Sequence, residues 1–112
     1  MLVLLHGFPE NGSCWNPLVP SLVAAGYRVV VPDLRGYNHS DKPKGIAAYR
    51  LDVLARDIHE LVDALGEREA TLIGHDWGGV VAFAVALLFP ASVHRLIVIN
   101  APHPGRFIER LW

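Results

Sequence analysis

Two hydrophobic patterns alternate along the chain. Short continuous apolar runs are typical of strands that are buried on both faces of a sheet. Four such runs occur, at residues 2–5, 27–31, 70–73 and 95–99. Between them lie three segments with apolar residues at helical spacing, namely residues 15–25, 51–65 and 77–89. Because strands alternate with helices, the pattern predicts an α/β fold with a mostly parallel sheet of about four strands and helices on both faces.

The polar and conformationally unusual residues follow the ends of these strands. Residues 33–45 read DLRGYNHSDKPKG, and their lack of periodicity and their Gly, Pro, Asn and Asp content predict a surface loop. Three other sets of such residues also come shortly after a predicted strand, namely residues 6–9, Asp76 and residues 100–103. Parallel sheets bind ligands at the carboxyl ends of their strands, so we expect one functional site at this edge.

Residues 72–79, LIGHDWGG, predict a strand, a tight turn and the start of a helix, with Asp76 at the apex. The side chain at such an apex projects above the carboxyl end of the strand, while the strained backbone requires small neighbours. Gly74 and Gly78 meet that requirement. An aspartate in this position is able to attack carbon and form an ester. Alternatively, the glycines are ordinary turn residues and Asp76 caps the helix, and these few residues alone do not separate the two interpretations.

The composition indicates a single globular domain with an excess of apolar surface. Of the 112 residues, 52% are hydrophobic and 19% are charged. A chain of this length buries only about 65% of its unfolded surface, so four apolar strands and an apolar helix are more than it easily covers alone. An uncovered edge strand would add to that excess. We therefore expect a homo-oligomer or further covering segments.

Charge and cysteine content exclude several classes of protein. The net charge is −1 and the basic residues form no block, so neither nucleic acid nor an anionic membrane surface is expected as a partner. The single cysteine, Cys14, excludes an intramolecular disulfide and a cysteine-based zinc cluster, and it fits a reducing compartment. The apolar run at residues 2–5 is far shorter than the roughly 20 residues of a membrane helix. We predict a cytoplasmic protein.

The motifs predict neither a metal nor a cofactor. His75 and Asp76 are adjacent, whereas metal ligands are typically spaced i, i+3 or i+4 on a helix and i, i+2 on a strand. No phosphate-binding G-x-x-x-x-G-K motif occurs, and Asp76 would place negative charge where the phosphate would sit. A small-molecule substrate is therefore the expected ligand.

Four motifs, in order, carry a resemblance to a known family. They are HGFPE at residues 6–10, DLRGYNHSDKP at 33–43, GHDWGG at 74–79 and NAPHP at 100–104. Together they resemble the epoxide hydrolase and haloalkane dehalogenase branch of the α/β-hydrolase superfamily, and HGFPE with NAPHP looks more like epoxide hydrolases. The resemblance spans nearly all of residues 1–112 and implies a single partial α/β-hydrolase core domain.

The resemblance implies a role for each residue of the predicted site. Asp76 would be the nucleophile that attacks an epoxide or an ester, giving an alkyl-enzyme ester that water hydrolyses. The backbone N–H groups of Phe8 and Trp77 would form the oxyanion hole. The substrate would contact Phe8, Pro9, His75 and Trp77. The Phe8–Pro9 peptide bond is expected to be cis.

The general base and the acid are harder to assign. Members of the resembled branch carry further strands, a helical lid with tyrosines that protonate the epoxide oxygen, an acidic residue and a general-base histidine. No such segments are found in residues 1–112. Of the six histidines, we predict His103 as a candidate base and His39 as a second candidate. We expect His6 to be a scaffold of the turn and His75 to be an orienting residue. We expect His59 to be solvated and His94 to be remote from the site. For both candidate bases the alternative is an ordinary turn histidine.

Three functional interpretations follow from these observations. The first is an epoxide-hydrolase-like enzyme that completes its site across a homodimer. The second is a non-catalytic remnant or interaction module that retains the fold, and the third is a fragment of a longer enzyme. The motifs do not distinguish epoxide, ester and haloalkane substrates.

Overall fold

A sheet of four parallel strands forms the centre of the computed structural model, which describes residues 1–106. The strands are β1 at Leu2–Leu5, β2 at Val29–Val30, β3 at Ala70–His75 and β4 at Val93–Ile99. Their order across the sheet is β2-β1-β3-β4, and every neighbouring pair is parallel. The predicted α/β fold with a parallel sheet of about four strands is confirmed.

Helices cover both faces of this sheet, as predicted. They are α1 at Val19–Ala24, α2 at Leu51–Ala64 and α3 at Trp77–Leu88, with short 3-10 helices at Gly12–Trp15, Ile46–Tyr49 and Pro90–Ser92. Successive residues of a strand point to opposite faces. Val3 accordingly joins the cluster formed with α2 and α3, whereas Leu4 packs with Trp15 on the face that α1 covers.

The first predicted helix is split in two. Residues 15–25 do not form one continuous helix, because Pro17 and Pro20 lack the N–H group that a helix interior needs. The first 3-10 helix ends before Pro17, and Pro20 is tolerated in the first turn of α1, where no donor is required. Within residues 1–106, no helix is both long enough and apolar enough to cross a bilayer.

The second strand is also shorter than predicted. Only Val29–Val30 pairs with β1, instead of residues 27–31. The N–H of Tyr27 is occupied, because it donates to the carbonyl oxygen of Leu22 at the end of α1. Pro32 has no N–H to extend the ladder on the other side. This edge of the sheet therefore holds the shortest of the four strands.

β4 lies at the opposite edge of the sheet and is only partly covered. Ile97 and Ile99 are 47% and 41% exposed. Ile97 is level with Ile73 in the register, so both point to the face that α1 covers only near β1 and β2. An apolar edge of this kind can pair with another chain. The expected homo-oligomer stays a prediction.

We expect Leu4→Ala to lower the free energy of unfolding by about 2–5 kcal/mol, because Leu4 is fully buried and its truncation leaves a cavity. Leu87→Ala removes the same atoms from α3, where Leu87 is 61% exposed. That control should change the free energy by about 0.5 kcal/mol or less. Denaturant titration followed by circular dichroism measures both values. Equal losses in the two variants would contradict the assignment of Leu4 to the core.

Candidate active site

β3 leads directly into the turn that carries Asp76. The strand continues through Gly74 to His75, two residues beyond the predicted end, because both residues pair with β4. Asp76 follows with φ 54° and ψ −122°, and its N–H donates to the carbonyl oxygen of Ile99 at 3.0 Å. A positive φ is strained for a residue other than glycine. The chain thus turns abruptly from β3 into α3 with Asp76 at the apex, as the motif predicts.

Two glycines let α3 begin directly against the strands. A Cβ atom on Gly74 would lie 2.5 Å from the carbonyl oxygen of Gly78 and 2.7 Å from Cα of Gly79. A Cβ atom on Gly78 would collide with the carbonyl oxygens of Leu5 and His6. These are backbone atoms of a close-packed sheet, which cannot move aside cheaply. Packing therefore requires the small residues on either side of Asp76.

The Asp76 carboxylate is bound by a backbone group from a distant part of the chain. Its Oδ2 accepts a hydrogen bond of 3.1 Å from the N–H of Phe8, and its side chain makes no capping hydrogen bond to α3. The N–H of Phe8, then that of Trp77 and the charge of His75, lower the pKa of Asp76 below its ordinary value, although partial burial opposes them. These contacts favour an ionised carboxylate and do not support the helix-cap interpretation.

His6 holds the turn that supplies the Phe8 N–H. Its ring is fully buried, with Nδ1 2.9 Å from the carbonyl oxygen of Gly7 and Nε2 2.9 Å from the backbone nitrogen of Leu34. Because the Leu34 N–H is a donor, Nε2 must accept and Nδ1–H must donate. The ring also packs edge-on against Tyr37, with ring centroids 4.7 Å apart. His6 therefore ties the turn after β1 to the loop after β2.

His75 is joined to the same turn through Glu10. Nδ1 of His75 lies 3.4 Å from Oε1 of Glu10, and the N–H of Glu10 donates to the carbonyl oxygen of Gly7 at 3.0 Å. The Phe8–Pro9 peptide bond between these two contacts is cis, as predicted. This arrangement is compatible with an orienting role for His75.

Two other histidines contact side chains outside the elbow, and a third is exposed. His103 packs edge-on against Phe83 of α3, with ring centroids 5.0 Å apart. His39 is exposed on the loop after β2. His94 lies at the start of β4, and its Nδ1 is 3.1 Å from a carboxylate oxygen of Glu69. In the described part of the chain, no three His, Cys, Asp or Glu side chains are grouped in a way that could hold a metal ion.

The prediction that His59 is solvated is wrong. Its Nδ1 lies 2.6 Å from Oγ of the buried Ser92, and its ring stacks on Phe89 with centroids 4.3 Å apart. Helical periodicity puts His59 at the border of the apolar stripe of α2. The 3-10 helix that follows α3 packs over this border, which a pattern within α2 alone does not reveal.

A cleft of about 450 Å³ opens over the Asp76 carboxylate. Its lining residues are Phe8, Tyr37, Asp76, Trp77, Val80, Asn100 and Pro102. Of the four substrate contacts expected from the sequence, Phe8 and Trp77 line this cleft, whereas Pro9 and His75 do not. The cleft therefore brings together the predicted nucleophile and the two residues whose N–H groups were predicted to bind an oxyanion.

Sequence analysis did not name four of the lining residues individually, namely Tyr37, Val80, Asn100 and Pro102. Val80 lies one helical turn after Asp76, so helical spacing would have put it on the same side of α3. Asn100 follows β4 with φ 52°, a conformation that asparagine adopts more readily than most residues. Tyr37 belongs to the loop of residues 33–45, where no periodicity indicates the direction of a side chain. Burial and the charge of Asp76 raise the pKa of Tyr37, so its hydroxyl stays protonated at neutral pH.

The loop after β2 is held by polar contacts that the sequence does not reveal. Arg35 donates from Nε and Nη2 to Asp57 of α2 at 2.8 and 2.7 Å, and from Nη1 to the carbonyl oxygen of Ala48 at 3.1 Å. Asp33 accepts a hydrogen bond of 2.8 Å from the N–H of Gly12, which lowers the pKa of Asp33. These contacts fix the loop that forms one wall of the cleft.

The family model described as alpha/beta hydrolase fold matches residues 1–112 of the chain. The chain belongs to the α/β hydrolase family. The parallel sheet, the elbow between β3 and α3 and the cleft above it agree with that membership.

Curated relatives are similar to this α/β hydrolase over nearly its whole length. The AB hydrolase superfamily protein YfhM of Bacillus subtilis is 52% identical over 104 residues, which are 93% of this chain and 36% of that protein. Epoxide hydrolase 4 of Mus musculus is 46% identical over 109 residues, which are 97% of this chain and 30% of that protein. The chain thus spans about a third of the length of these relatives.

Solved structures of epoxide hydrolases are also similar to this chain. A structure described among novel epoxide hydrolases from metagenomes of hot environments has a TM-score of 0.91 and 44% identity, covering 99% of this chain and 37% of that one. An epoxide hydrolase of Bacillus megaterium in complex with an inhibitor has a TM-score of 0.91 and 38% identity, covering 98% of this chain and 38% of that one. The resemblance to epoxide hydrolases that the four motifs carry is confirmed.

We expect the Asp76 carboxyl group to titrate below the ordinary aspartate pKa of about 3.9, because the Phe8 N–H stabilises its ionised form. A lowered pKa stabilises the folded state at pH values above the ordinary one, and this contribution is lost as the pH falls through the lowered pKa. Carbon-13 NMR of the carboxyl resonance measures the midpoint. A midpoint at or above the ordinary value would contradict the hydrogen bond from Phe8.

Proposed function

We propose that the chain is a hydrolase of the epoxide-hydrolase type in which Asp76 is the nucleophile. The observation that carries this proposal is a carboxylate at a strained apex, lining a cleft and hydrogen-bonded by the N–H of Phe8. A carboxylate attacks carbon only when it is deprotonated, and the lowered pKa of Asp76 favours that state at neutral pH. Relatives named as epoxide hydrolases support an epoxide as the substrate.

In the first step, Oδ1 of Asp76 attacks one ring carbon of the epoxide. A bond forms between Oδ1 and that carbon while the carbon–oxygen bond of the ring breaks. The released alkoxide takes a proton from water, which leaves hydroxide. The Phe8 N–H, 3.1 Å from Oδ2, orients the carboxylate for this attack. The product of the step is a hydroxyalkyl ester of Asp76.

In the second step, water attacks Cγ of that ester. Negative charge develops on Oδ2, the oxygen that already accepts the hydrogen bond from Phe8. The N–H groups of Phe8 and Trp77 are the proposed oxyanion hole, which stabilises this charge. Cleavage of the bond between Cγ and Oδ1 releases the diol and restores the carboxylate, and the proton lost by the attacking water neutralises the hydroxide from the first step.

We expect hydrolysis of the ester to be the slow step. Within residues 1–106, no histidine lines the cleft. His103, the base expected from the sequence, packs against Phe83, which lies seven residues and so about 10 Å along α3 from Asp76. A well-placed general base accelerates such a step by roughly 10²–10⁴-fold. That His103 acts as the general base stays a prediction. The ester should accumulate if His103 is too remote to act.

The mass of the intact protein after exposure to styrene oxide tests the proposal. We expect a single added substrate mass on the wild type, because alkylation is faster than hydrolysis of the ester. Asp76→Asn preserves the shape of the side chain and removes its charge, so the rate of adduct formation should fall at least about 100-fold on that variant.

Two results would contradict the proposal. Equal labelling of the wild type and Asp76→Asn would mean that the epoxide alkylates another side chain. Neither adduct nor diol from the wild type would remove support for epoxide opening and favour the non-catalytic or the fragment interpretation. Diol release without a lasting adduct would keep Asp76 as the nucleophile only if Asp76→Asn abolishes that release.

A further inference from the structure

A second cavity adjoins the one above Asp76. It measures about 420 Å³ and shares three lining residues with the first, namely Phe8, Tyr37 and Trp77. The second cavity, which we call the side lobe, is also lined by Leu34, Tyr49 and Leu54, none of which lines the cavity above Asp76. Since the two cavities share these three side chains, the side lobe lies directly beside the cavity above Asp76.

The side lobe is apolar and closed at its base. Leu34 and Leu54 are each 5% exposed and belong to the hydrophobic cluster under α2 and α3. A Cβ atom on Gly36 would lie 2.7 Å from Cε1 of Tyr49, so the Tyr49 ring packs directly on that glycine. Leucine methyl groups below and tyrosine rings at the sides form the surroundings that a planar apolar group prefers.

The side lobe offers no free charge to an ionic substituent. Among residues 1–106, Arg35 is its only charged lining residue. The guanidinium of Arg35 already donates two hydrogen bonds to Asp57 and one to the carbonyl oxygen of Ala48. A bidentate pair of this kind is strong and geometrically specific, so a substrate carboxylate would have to compete with Asp57. The side lobe therefore selects an uncharged substituent.

Phe8 connects the side lobe to the proposed chemistry. Its side chain is 70% exposed and lines both cavities, while its backbone N–H binds Oδ2 of Asp76. A substituent that packs on the Phe8 ring is thereby held at a fixed position relative to the carboxylate. Such positioning lowers the entropy that must be lost before attack.

We propose that the side lobe is a substituent subsite that binds an uncharged aryl group of the epoxide, with Tyr49 and Leu54 as specificity-determining residues. This inference rests on the proposed function, because it assigns the epoxide carbon to Asp76. It goes beyond that function in naming the class of substituent and the residues that select it.

Rates of adduct formation with two epoxides test the subsite. We expect Tyr49→Ala to lower the ratio of the styrene oxide rate to the propylene oxide rate by roughly threefold to tenfold, because the aryl group loses an aromatic contact. Tyr27→Ala is the matched control, since it removes the same side chain from a 52% exposed position between α1 and β2. That control should leave the ratio unchanged. An unchanged ratio in Tyr49→Ala would overturn the proposal.

A binding measurement separates failure of the subsite from failure of the chemistry. If neither epoxide labels the wild type, the proposed function fails, and the subsite is then tested with 1-phenyl-1,2-ethanediol on methyl-labelled wild-type protein. NMR shifts of the Leu34 and Leu54 methyl groups on titration, without shifts of Leu61, would support the side lobe, because Leu61 lines a neighbouring cavity that shares both leucines. Shifts confined to Val80, which lines only the cavity above Asp76, or no shifts at all, would overturn it. This measurement also serves if Tyr49→Ala fails to fold.

Discussion

The contact between the start of α3 and the ends of β1 and β3 is the constraint on which the rest of the site depends. There is no room for a Cβ atom at Gly74 or Gly78, so helix and strands meet backbone to backbone. The chain can make this contact only by turning within one residue, and Asp76 takes up the strain with its positive φ. The same turn puts its carboxylate within hydrogen-bonding distance of the Phe8 N–H.

A second constraint keeps the two walls of the cleft together. His6 is fully buried, and both of its ring nitrogens have partners, one in the turn after β1 and one at Leu34. A buried polar group is costly unless it is hydrogen-bonded, so these bonds favour a single arrangement of turn and loop. The ion pair between Arg35 and Asp57 fixes the far side of the same loop to α2. The side lobe lies between these two anchors.

Most features that depend on local sequence could be predicted, apart from the break that Pro17 and Pro20 make in the first predicted helix. Features that depend on packing between distant elements could not be predicted. The strand periods, the elbow around Asp76 and the cis bond at Phe8–Pro9 each reside in a few consecutive residues. The partial burial of His59 depends on a 3-10 helix more than thirty residues away. Tyr37 and its loop likewise depend on His6 and α2, so no pattern within residues 33–45 could have assigned Tyr37 to the cleft.

The most direct test of the account is to locate the label left by styrene oxide. Trypsin is expected to release residues 69–95 as one peptide, which contains both His75 and Asp76. The account predicts that fragmentation assigns the added mass to Asp76 and that hydroxylamine removes it, because an ester is cleaved by that nucleophile. A label on His75 or Cys14 that resists hydroxylamine would contradict a nucleophilic role for Asp76.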